Sequence, residues 1–187
     1  MLTIGIVATL IRLAWGAAEG LRLLGDARPH GADLDKYSAR LWDVATGIEL
    51  VGIICGLIGF GRMRLDSYVL GYFGLAAMVT GIAIRWSAIV TLGKYFNGKV
   101  CFQPDHQLVR VGLYKYVRHP AYTGSLLAHL GLGLAMANWF SLTFSVLPFV
   151  IAVWYRMRVE DEALAKVFGP NYGEYANQVK RLIPKLY

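Results

Sequence analysis

Five runs of mostly apolar residues, separated by polar or basic segments, set the pattern of this 187-residue chain. The runs cover residues 2–24, 41–60, 68–92, 120–137 and 140–155. A membrane-spanning helix needs about 20 mostly apolar residues, so the fourth and fifth runs are near the short end of that range. Because only Asn138 and Trp139 separate these two runs, they are expected to form an antiparallel helical hairpin. The pattern therefore predicts an all-α, integral membrane helical bundle with about five transmembrane helices.

Beyond residue 155 the helical pattern continues, but it becomes amphipathic. Arg156 and Glu160 are four positions apart and therefore lie on one face of a helix. Gly169 and Pro170 are expected to end this helix, and a second short helix is predicted around residues 172–179. Taken alone, such a segment is typical of a helix that lies at the membrane surface with solvated charge pairs.

The composition agrees with a membrane protein. Apolar residues make up 56% of the chain and charged residues 17%, whereas average soluble domains carry about 25% charged residues. The formal net charge is +7, but the basic residues flank the apolar runs, so no nucleic-acid partner is expected. The length suits one domain, in which residues 1–92 carry the first three spans and residues 93–187 carry a polar loop, the hairpin and the C-terminal helices.

The distribution of Lys and Arg predicts the orientation in the membrane. The segments around the ends of the first, third and fifth runs carry four, five and six basic residues, whereas those after the second and fourth carry two and none. Basic residues are enriched on the cytoplasmic side of membrane proteins. The N-terminus is therefore expected outside, with residues 93–118 and the amphipathic C-terminal segment 156–187 in the cytoplasm.

A few ionisable or reactive side chains fall inside the apolar runs. Asp43, Glu49 and Arg85 are costly in hydrocarbon and usually face the bundle interior. We expect Glu49 and Arg85 to pair across the second and third spans. The alternatives are a direct catalytic role and, for Asp43 and Arg85, a place at the membrane interfaces. Cys55 lies in an apolar run and Cys101 in a polar loop, so neither a disulfide nor a metal site is expected from the cysteines.

The segment of residues 112–124 concentrates side chains that can bind or react. Pro120 lacks an amide hydrogen and suits the first turn of a helix, and it keeps His119 out of the α region. His119 is therefore expected at the mouth of a helix whose free N–H groups favour an anion. Arg118, His119 and Tyr122 place a cation, a titratable ring and a phenol within five residues. The residues alone fit either a binding site or an anchor at the membrane interface.

Two sequence patterns together narrow these alternatives. The first, G-x-Y-x-x-x-R-H-P-x-Y-x-G, is filled by Gly112, Tyr114, Arg118, His119, Pro120, Tyr122 and Gly124. The second, R-x-x-x-E-E/D-x-x-L-x-x-x-F-G-x-x-Y-x-x-Y, is filled by Arg156, Glu160, Asp161, Leu164, Phe168, Gly169, Tyr172 and Tyr175. In their order and spacing these patterns resemble the isoprenylcysteine carboxyl methyltransferase family and its relatives, the phospholipid methyltransferases. The match covers about residues 85–184.

The resemblance implies an integral membrane enzyme that uses S-adenosylmethionine, bound near the cytoplasmic surface. Carried over by position, the cofactor-binding residues are His106, Gln107, Leu108, Val109, Tyr114, His119, Pro120, Ala121, Tyr122, Glu160 and Asp161. Asp161 stands where the family pattern more often has Glu. Glu160 would take a charged group of the cofactor and Arg156 the acceptor carboxylate, so that Arg156, Glu160 and His119 form the catalytic set. No metal is implied.

The implied reaction is an in-line displacement at the sulfonium methyl group. A carboxylate acceptor is already a nucleophile, so catalysis would depend on positioning and on removal of water. The first expectation is a methyl ester on the carboxylate of a lipophilic, isoprenylcysteine-type substrate in the bilayer. The alternatives are N-methylation of an amino-phospholipid, with His119 or a nearby carboxylate as base, and a non-catalytic membrane protein. The presence of His119, Glu160 and Arg156 argues against the last of these.

Overall fold

The computed structural model describes residues 2–24, 35–64, 67–100 and 106–187, which form α-helices joined by short turns and loops. Within those ranges the helices are α1 (Leu2–Leu24), α2 (Ser38–Ile58), α3 (Ser67–Leu92), α4 (Pro120–Ala135), α5 (Trp139–Phe168) and α6 (Pro170–Gln178). Two short 3-10 helices lie at Gly93–Tyr95 and Gly112–Lys115. The predicted all-α class is confirmed, while Cys101 lies outside the described residues.

Four of the described helices, α1, α2, α3 and α5, are long and apolar enough to cross a membrane. Large apolar side chains such as Leu10, Ile54 and Val90 are exposed on their outer faces, as contact with lipid requires. Helix α4 has 16 residues, which at about 1.5 Å per residue is shorter than a hydrocarbon core of about 30 Å. The membrane bundle predicted from the sequence is confirmed, with α4 as a shorter helix packed inside it.

Helix α5 joins the last apolar run to the amphipathic segment without a break. It extends over 30 residues and contains Pro148 in its interior. The side-chain oxygen of Asn138 caps its start, because it accepts hydrogen bonds from the amides of Phe140 at 3.0 Å and Ser141 at 3.1 Å. Gly169, with φ of 52°, ends it as predicted. The charged residues of α5 are therefore carried on the same continuous helix as a membrane span.

Glycines allow α3 and α4 to approach at backbone distance. A Cβ atom on Gly81 would lie 2.5 Å from the amide nitrogen of Ala128 and from the carbonyl oxygen of Gly124. A Cβ atom on Gly74 or on Gly131 would lie 2.3 Å from a backbone nitrogen of the opposite helix. Small residues at such crossings are typical of membrane helices. This contact fixes α4 against α3, including residues 120–124 at the start of α4.

The charged residues of the bundle interior pair through α1, and the expected pair of Glu49 with Arg85 is wrong. Glu49 accepts from Arg12 at 2.8 Å. Arg85 donates from Nη2 to Glu19 at 2.6 Å. Arg12 and Glu19 are two helical turns apart on α1, so this helix presents a cation to α2 and an anion to α3. Each buried charge thereby obtains a partner, which its removal from water requires.

Candidate active site

A cavity of about 480 Å³ lies where the C-terminal parts of α1 and α3 and the start of α2 meet the start of α4, the charged part of α5, and α6. Most residues that the sequence singled out line it: His106, Gln107, Leu108, Val109, Tyr114, His119, Ala121, Tyr122, Arg156 and Glu160. Pro120 is buried as the first residue of α4, and Asp161 lies behind His119, outside the lining. Two sequence patterns about forty residues apart thus converge on one cavity that carries charged and aromatic side chains.

The backbone around His119 is fixed by the following proline and by hydrogen bonds to two other parts of the chain. Pro120 begins α4, and His119 precedes it with φ of −124° and ψ of 57°, outside the α region as predicted. The amides of Arg118 and His119 donate to the carbonyl oxygens of Lys180 at 2.8 Å and Arg181 at 3.0 Å. The carbonyl of His119 accepts from the amides of residues 122 and 123 at the start of α4. These N–H groups at the helix end are therefore satisfied within the chain and are not directed at a ligand.

The ring of His119 lies between two carboxylates. Its Nε2 is 2.9 Å from Oδ1 of Asp161, and its Nδ1 is 3.4 Å from Oε2 of Glu160. Burial would lower the pKa of His119, but the hydrogen bonds to Asp161 and Glu160, together with their charges, raise it above its ordinary value. Because both ring nitrogens face carboxylate oxygens, the form that fits is the imidazolium, which donates from both. His119 in this arrangement is a cation rather than a free base.

The guanidinium of Arg156 already holds several acceptors of the protein. Its Nε donates to the hydroxyl of Tyr122 at 2.7 Å and its Nη2 to the carbonyl of Gly98 at 2.7 Å. Its Nη1 lies 3.3 Å from both Oδ1 of Asp35 and Oγ of Ser38. A guanidinium has five N–H donors, so these contacts leave at most one for a ligand. Arg156 is thus a cross-link between α5, α4 and the segments that precede α2 and follow α3.

Glu160 is the carboxylate that faces the cavity. Its Oε1 accepts from the hydroxyl of Tyr122 and lies 3.5 Å from Nε of Arg156. Its Oε2 faces His119, and its side chain keeps 25% of its exposure. The contacts to Tyr122, Arg156 and His119 hold the group rigidly while part of it remains accessible. Such a carboxylate can accept a charge-assisted hydrogen bond from a bound cation.

Asp161 lies behind the residues that line the cavity and accepts several hydrogen bonds. Its Oδ1 accepts from His119 and from the hydroxyl of Tyr172, and its Oδ2 accepts from Nε of Arg181 at 2.8 Å. Nη1 of Arg118 lies 3.5 Å from the same carboxylate. The sequence placed Asp161 among the cofactor-binding residues, whereas in the structure it contacts the residues that line the cavity. Its position is that of a group that orients His119.

The sequence reasoning missed the part of the site that comes from the N-terminal half of the chain. Asp35 accepts hydrogen bonds from the amides of Ala39 at 2.8 Å and Val100 at 3.2 Å, besides its contact with Arg156. Burial raises the pKa of Asp35, but those hydrogen bonds and the nearby guanidinium bring it below its ordinary value. Trp42 also lines the cavity, with its ring centroid 6.2 Å from that of Tyr122. Neither residue belongs to a sequence pattern, so only the packing of α2 against α5 reveals them.

The cavity also contains two aromatic residues that the second sequence pattern included without a role. Tyr172 and Tyr175 of α6 are buried and line the cavity. The hydroxyl of Tyr175 donates to the carbonyl oxygen of Tyr114 at 2.6 Å, which fixes α6 against the 112–115 turn. Their spacing of three residues places both on one helix face. This pattern in the sequence could have indicated that both line the cavity.

Comparison with known proteins shows which proteins this chain is similar to. A sequence model of the isoprenylcysteine carboxyl methyltransferase (ICMT) family matches residues 74–166. Protein-S-isoprenylcysteine O-methyltransferase A of Arabidopsis thaliana is 34% identical over 165 residues, which cover 83% of this chain and 81% of that protein. Protein-S-isoprenylcysteine O-methyltransferase B of the same plant is 29% identical with the same coverage.

A solved structure is also similar. It is that of the eukaryotic intramembrane Ras methyltransferase ICMT, with a TM-score of 0.66 and 27% identity. The match covers 78% of this chain and 52% of that one, so this chain spans about half of the solved protein. The resemblance that the two sequence patterns indicated is thereby confirmed. On the identity to the plant proteins over most of both chains, together with the shared membrane fold, this chain belongs to the isoprenylcysteine carboxyl methyltransferase family.

Proposed function

We propose that this chain transfers a methyl group from S-adenosylmethionine to the carboxylate of an isoprenylcysteine-type substrate, giving a methyl ester. The observation that carries the proposal is the convergence of both sequence patterns on one charged and aromatic cavity inside a membrane bundle. The names of the similar plant proteins describe the same transfer to oxygen. The Lys and Arg asymmetry supports a site that faces the cytoplasm.

The residues of the cavity suit the proposed cofactor. Its volume of about 480 Å³ lies within the range of about 300–1,000 Å³ that small-molecule sites occupy. S-adenosylmethionine carries an ammonium, a carboxylate and a sulfonium group, so its site needs charges of both signs. Glu160, partly exposed to the cavity, would accept from the ammonium. Residues 106–109 and Tyr114 form the adjoining wall for the remainder of the molecule.

The cofactor supplies an electrophilic methyl group when bound. The chain binds the acceptor beside it, orients it for in-line attack and excludes water from the reacting carboxylate. Arg156 offers its remaining N–H donor to that carboxylate, while its other donors keep Tyr122 and Asp35 in position. The apolar part of a prenylated acceptor would remain in the bilayer, which the exposed faces of the helices contact.

The state of His119 favours a carboxylate acceptor over an amine. An ammonium acceptor must lose a proton before it attacks, which requires a general base. His119 contacts carboxylates with both ring nitrogens, and these contacts raise its pKa against the effect of burial, so it is held as a cation. A carboxylate acceptor is ionised near neutral pH and needs no base. O-methylation, which needs no base, therefore fits the site better than N-methylation of an amino-phospholipid with His119 as the base.

The direct test incubates the purified protein with methyl-labelled S-adenosylmethionine and defined acceptors. We expect label on an S-prenylated cysteine with a free carboxylate, no label on the matching cysteine amide, and release of the label by mild base, as for an ester. Base-stable label on an amino-phospholipid would instead show N-methylation. No transfer to any acceptor by protein that binds the cofactor would contradict the proposed acceptor class.

A pair of variants separates the roles of two neighbouring residues on α5. Glu160→Gln should weaken cofactor binding about 10- to 150-fold, which corresponds to about 1.5–3 kcal/mol for a hydrogen bond to a charged group. Arg156→Lys should retain cofactor binding and lower turnover, because an ammonium does not reproduce the planar set of donors. Glu162→Gln is the matched control, since Glu162 pairs with Lys36 on the exposed face of the same helix. Equal losses of cofactor affinity in both test variants would contradict the assignment of Arg156.

A further inference from the structure

Arg118 has a buried donor that no group of the described residues accepts. It lines the cavity immediately before His119, and its side chain is only 12% exposed. Its Nη1 donates to the hydroxyl of Tyr172 at 3.1 Å and lies 3.5 Å from Asp161. Its Nε is buried and has no hydrogen-bond partner within residues 2–24, 35–64, 67–100 and 106–187. Leaving a buried polar group unsatisfied is unfavourable, so this edge of the guanidinium is suited to an acceptor that a ligand supplies.

Two other cations of the cavity are already committed. Arg85 directs Nε and Nη2 at the carboxylate of Glu19 and Nη1 at Ser125. Arg156 holds Asp35 and three further acceptors, as described above. Arg118 differs from both, because its buried Nε has no hydrogen-bond partner among the described residues. Its guanidinium is therefore less completely balanced by the protein.

The charges around Arg118 also favour a bound carboxylate. Arg118, His119 and Arg181 all contact Asp161, and His119 also contacts Glu160. With His119 protonated, three cations face two carboxylates in this group. The side chain of Arg181 is partly exposed, but those of Arg118 and His119 are largely buried. A buried excess of one charge is unfavourable unless a counter-charge is present. A bound carboxylate would supply that charge next to the unsatisfied Nε.

The arrangement also suits a ligand in which a carboxylate and an ammonium are attached to one carbon. The imidazole of His119 separates the two sites: Glu160 lies on its Nδ1 side, and Asp161, which Arg118 contacts, lies on its Nε2 side. A carboxylate that can accept from an ammonium and a cation that can bind a carboxylate thus lie on opposite sides of one imidazole ring. An α-amino acid group carries charges of both signs and could offer one to each of them.

We propose that Arg118 binds the carboxylate of the amino-acid part of the methyl donor, while Glu160 binds its ammonium. This inference rests on the proposed use of S-adenosylmethionine and adds the residue that recognises one end of it. It makes Arg118 a binding residue rather than only a support for Asp161. The amides of residues 122 and 123 at the N-terminus of α4 are not available for this carboxylate, because they donate to the carbonyl oxygen of His119.

The test removes the carboxylate from the ligand and the guanidinium from the protein. The probes are S-adenosylhomocysteine and its decarboxylated analogue, which keeps the adenosine, the thioether and the amine. Calorimetry on detergent-solubilised protein measures both affinities for the wild type, for Arg118→Gln and for the control Arg110→Gln. Arg110 lies on the same loop, is exposed and donates to the carbonyl of Asn171 at 2.6 Å.

The expected result is a loss confined to one ligand. Arg118→Gln should bind S-adenosylhomocysteine at least about tenfold more weakly and the decarboxylated analogue almost unchanged, while Arg110→Gln changes neither. Equal losses for both ligands would show that Arg118 only supports the site and would overturn the proposal. Equal affinity of the wild type for both ligands would overturn it without any variant. Absence of binding of either ligand to folded wild-type protein would instead refute the use of this cofactor.

Discussion

The close approach of α3 and α4 gives a prediction with an internal control. In Gly81→Ala the new Cβ atom would lie 2.5 Å from the nitrogen of Ala128 and from the oxygen of Gly124. Both are backbone atoms of α4, so no side-chain rotation relieves the contact and the helices must move apart. In Gly47→Ala the new Cβ atom meets nothing within 4 Å. Both substitutions remove a helical glycine, and only the first disturbs packing.

The expected difference in the free energy of unfolding follows from a packing cost and a gain in helix propensity. Overpacking a well-packed contact costs about 1–3 kcal/mol, whereas replacing a helical glycine by alanine gains about 0.5–1 kcal/mol in either variant. The gain cancels in the comparison, so Gly81→Ala should be about 1–3 kcal/mol less stable than Gly47→Ala. For a chain of this size that difference lowers the melting temperature by about 2–12 °C.

The assay is thermal unfolding of both variants in the same detergent, followed by cofactor titration. Because Gly124 lies at the start of α4, two residues after Tyr122, movement of α4 should also weaken binding at the cavity. Gly81→Ala should therefore lose both melting temperature and affinity, and Gly47→Ala neither. Equal melting temperatures for the two variants would refute the packing argument.

Three further expectations concern charge and topology. Asp35→Asn should reduce turnover more than tenfold, since a charged hydrogen bond that orients Arg156 is worth about 1.5–3 kcal/mol; unchanged steady-state rates would contradict this. Burial lowers the pKa of His119, but its carboxylate partners raise it overall, so its contribution to stability is complete below about pH 6.5 and is lost as the pH rises through the raised pKa. Unfolding measured at a series of pH values that rise from about 6.5 checks this, and His119→Gln should remove the dependence. Cysteines at Trp139 and Lys185, in a protein without its native cysteines, should be labelled from opposite sides of sealed vesicles, and labelling from one side only would contradict the orientation.

Local rules account for what the sequence predicted well. The positions of α1, α2 and α3 follow from the length of their apolar runs, and the start of α4 follows from Pro120. The end of α5 follows from Gly169, which adopts a positive φ. Each of these features depends on residues within a turn or two of the chain. The sequence therefore indicates them without knowledge of the neighbouring helices.

Pairing between helices was not predictable in the same way. Glu49 was expected to meet Arg85 because both are charged residues within spans, yet each pairs with a residue of α1. Which charges meet depends on the order and rotation of helices in the bundle, which no single run encodes. Gly124 shows the same limit. It was part of a sequence pattern, but the physical reason for a glycine lies on another helix, because an added Cβ atom would lie 2.6 Å from the backbone nitrogen of Arg85.

The surroundings of Arg156 explain how a site can hold a carboxylate and still let it react. An arginine that binds a carboxylate with two free donors neutralises much of its charge, and this reduces its reactivity as a nucleophile. Here Asp35 and Glu160 already offset the charge of Arg156 at 3.3 and 3.5 Å, and at most one donor remains. A carboxylate acceptor would thus be oriented by Arg156 without being strongly neutralised. Because its displacement needs no proton transfer, the same arrangement leaves His119 to balance charge between Glu160 and Asp161.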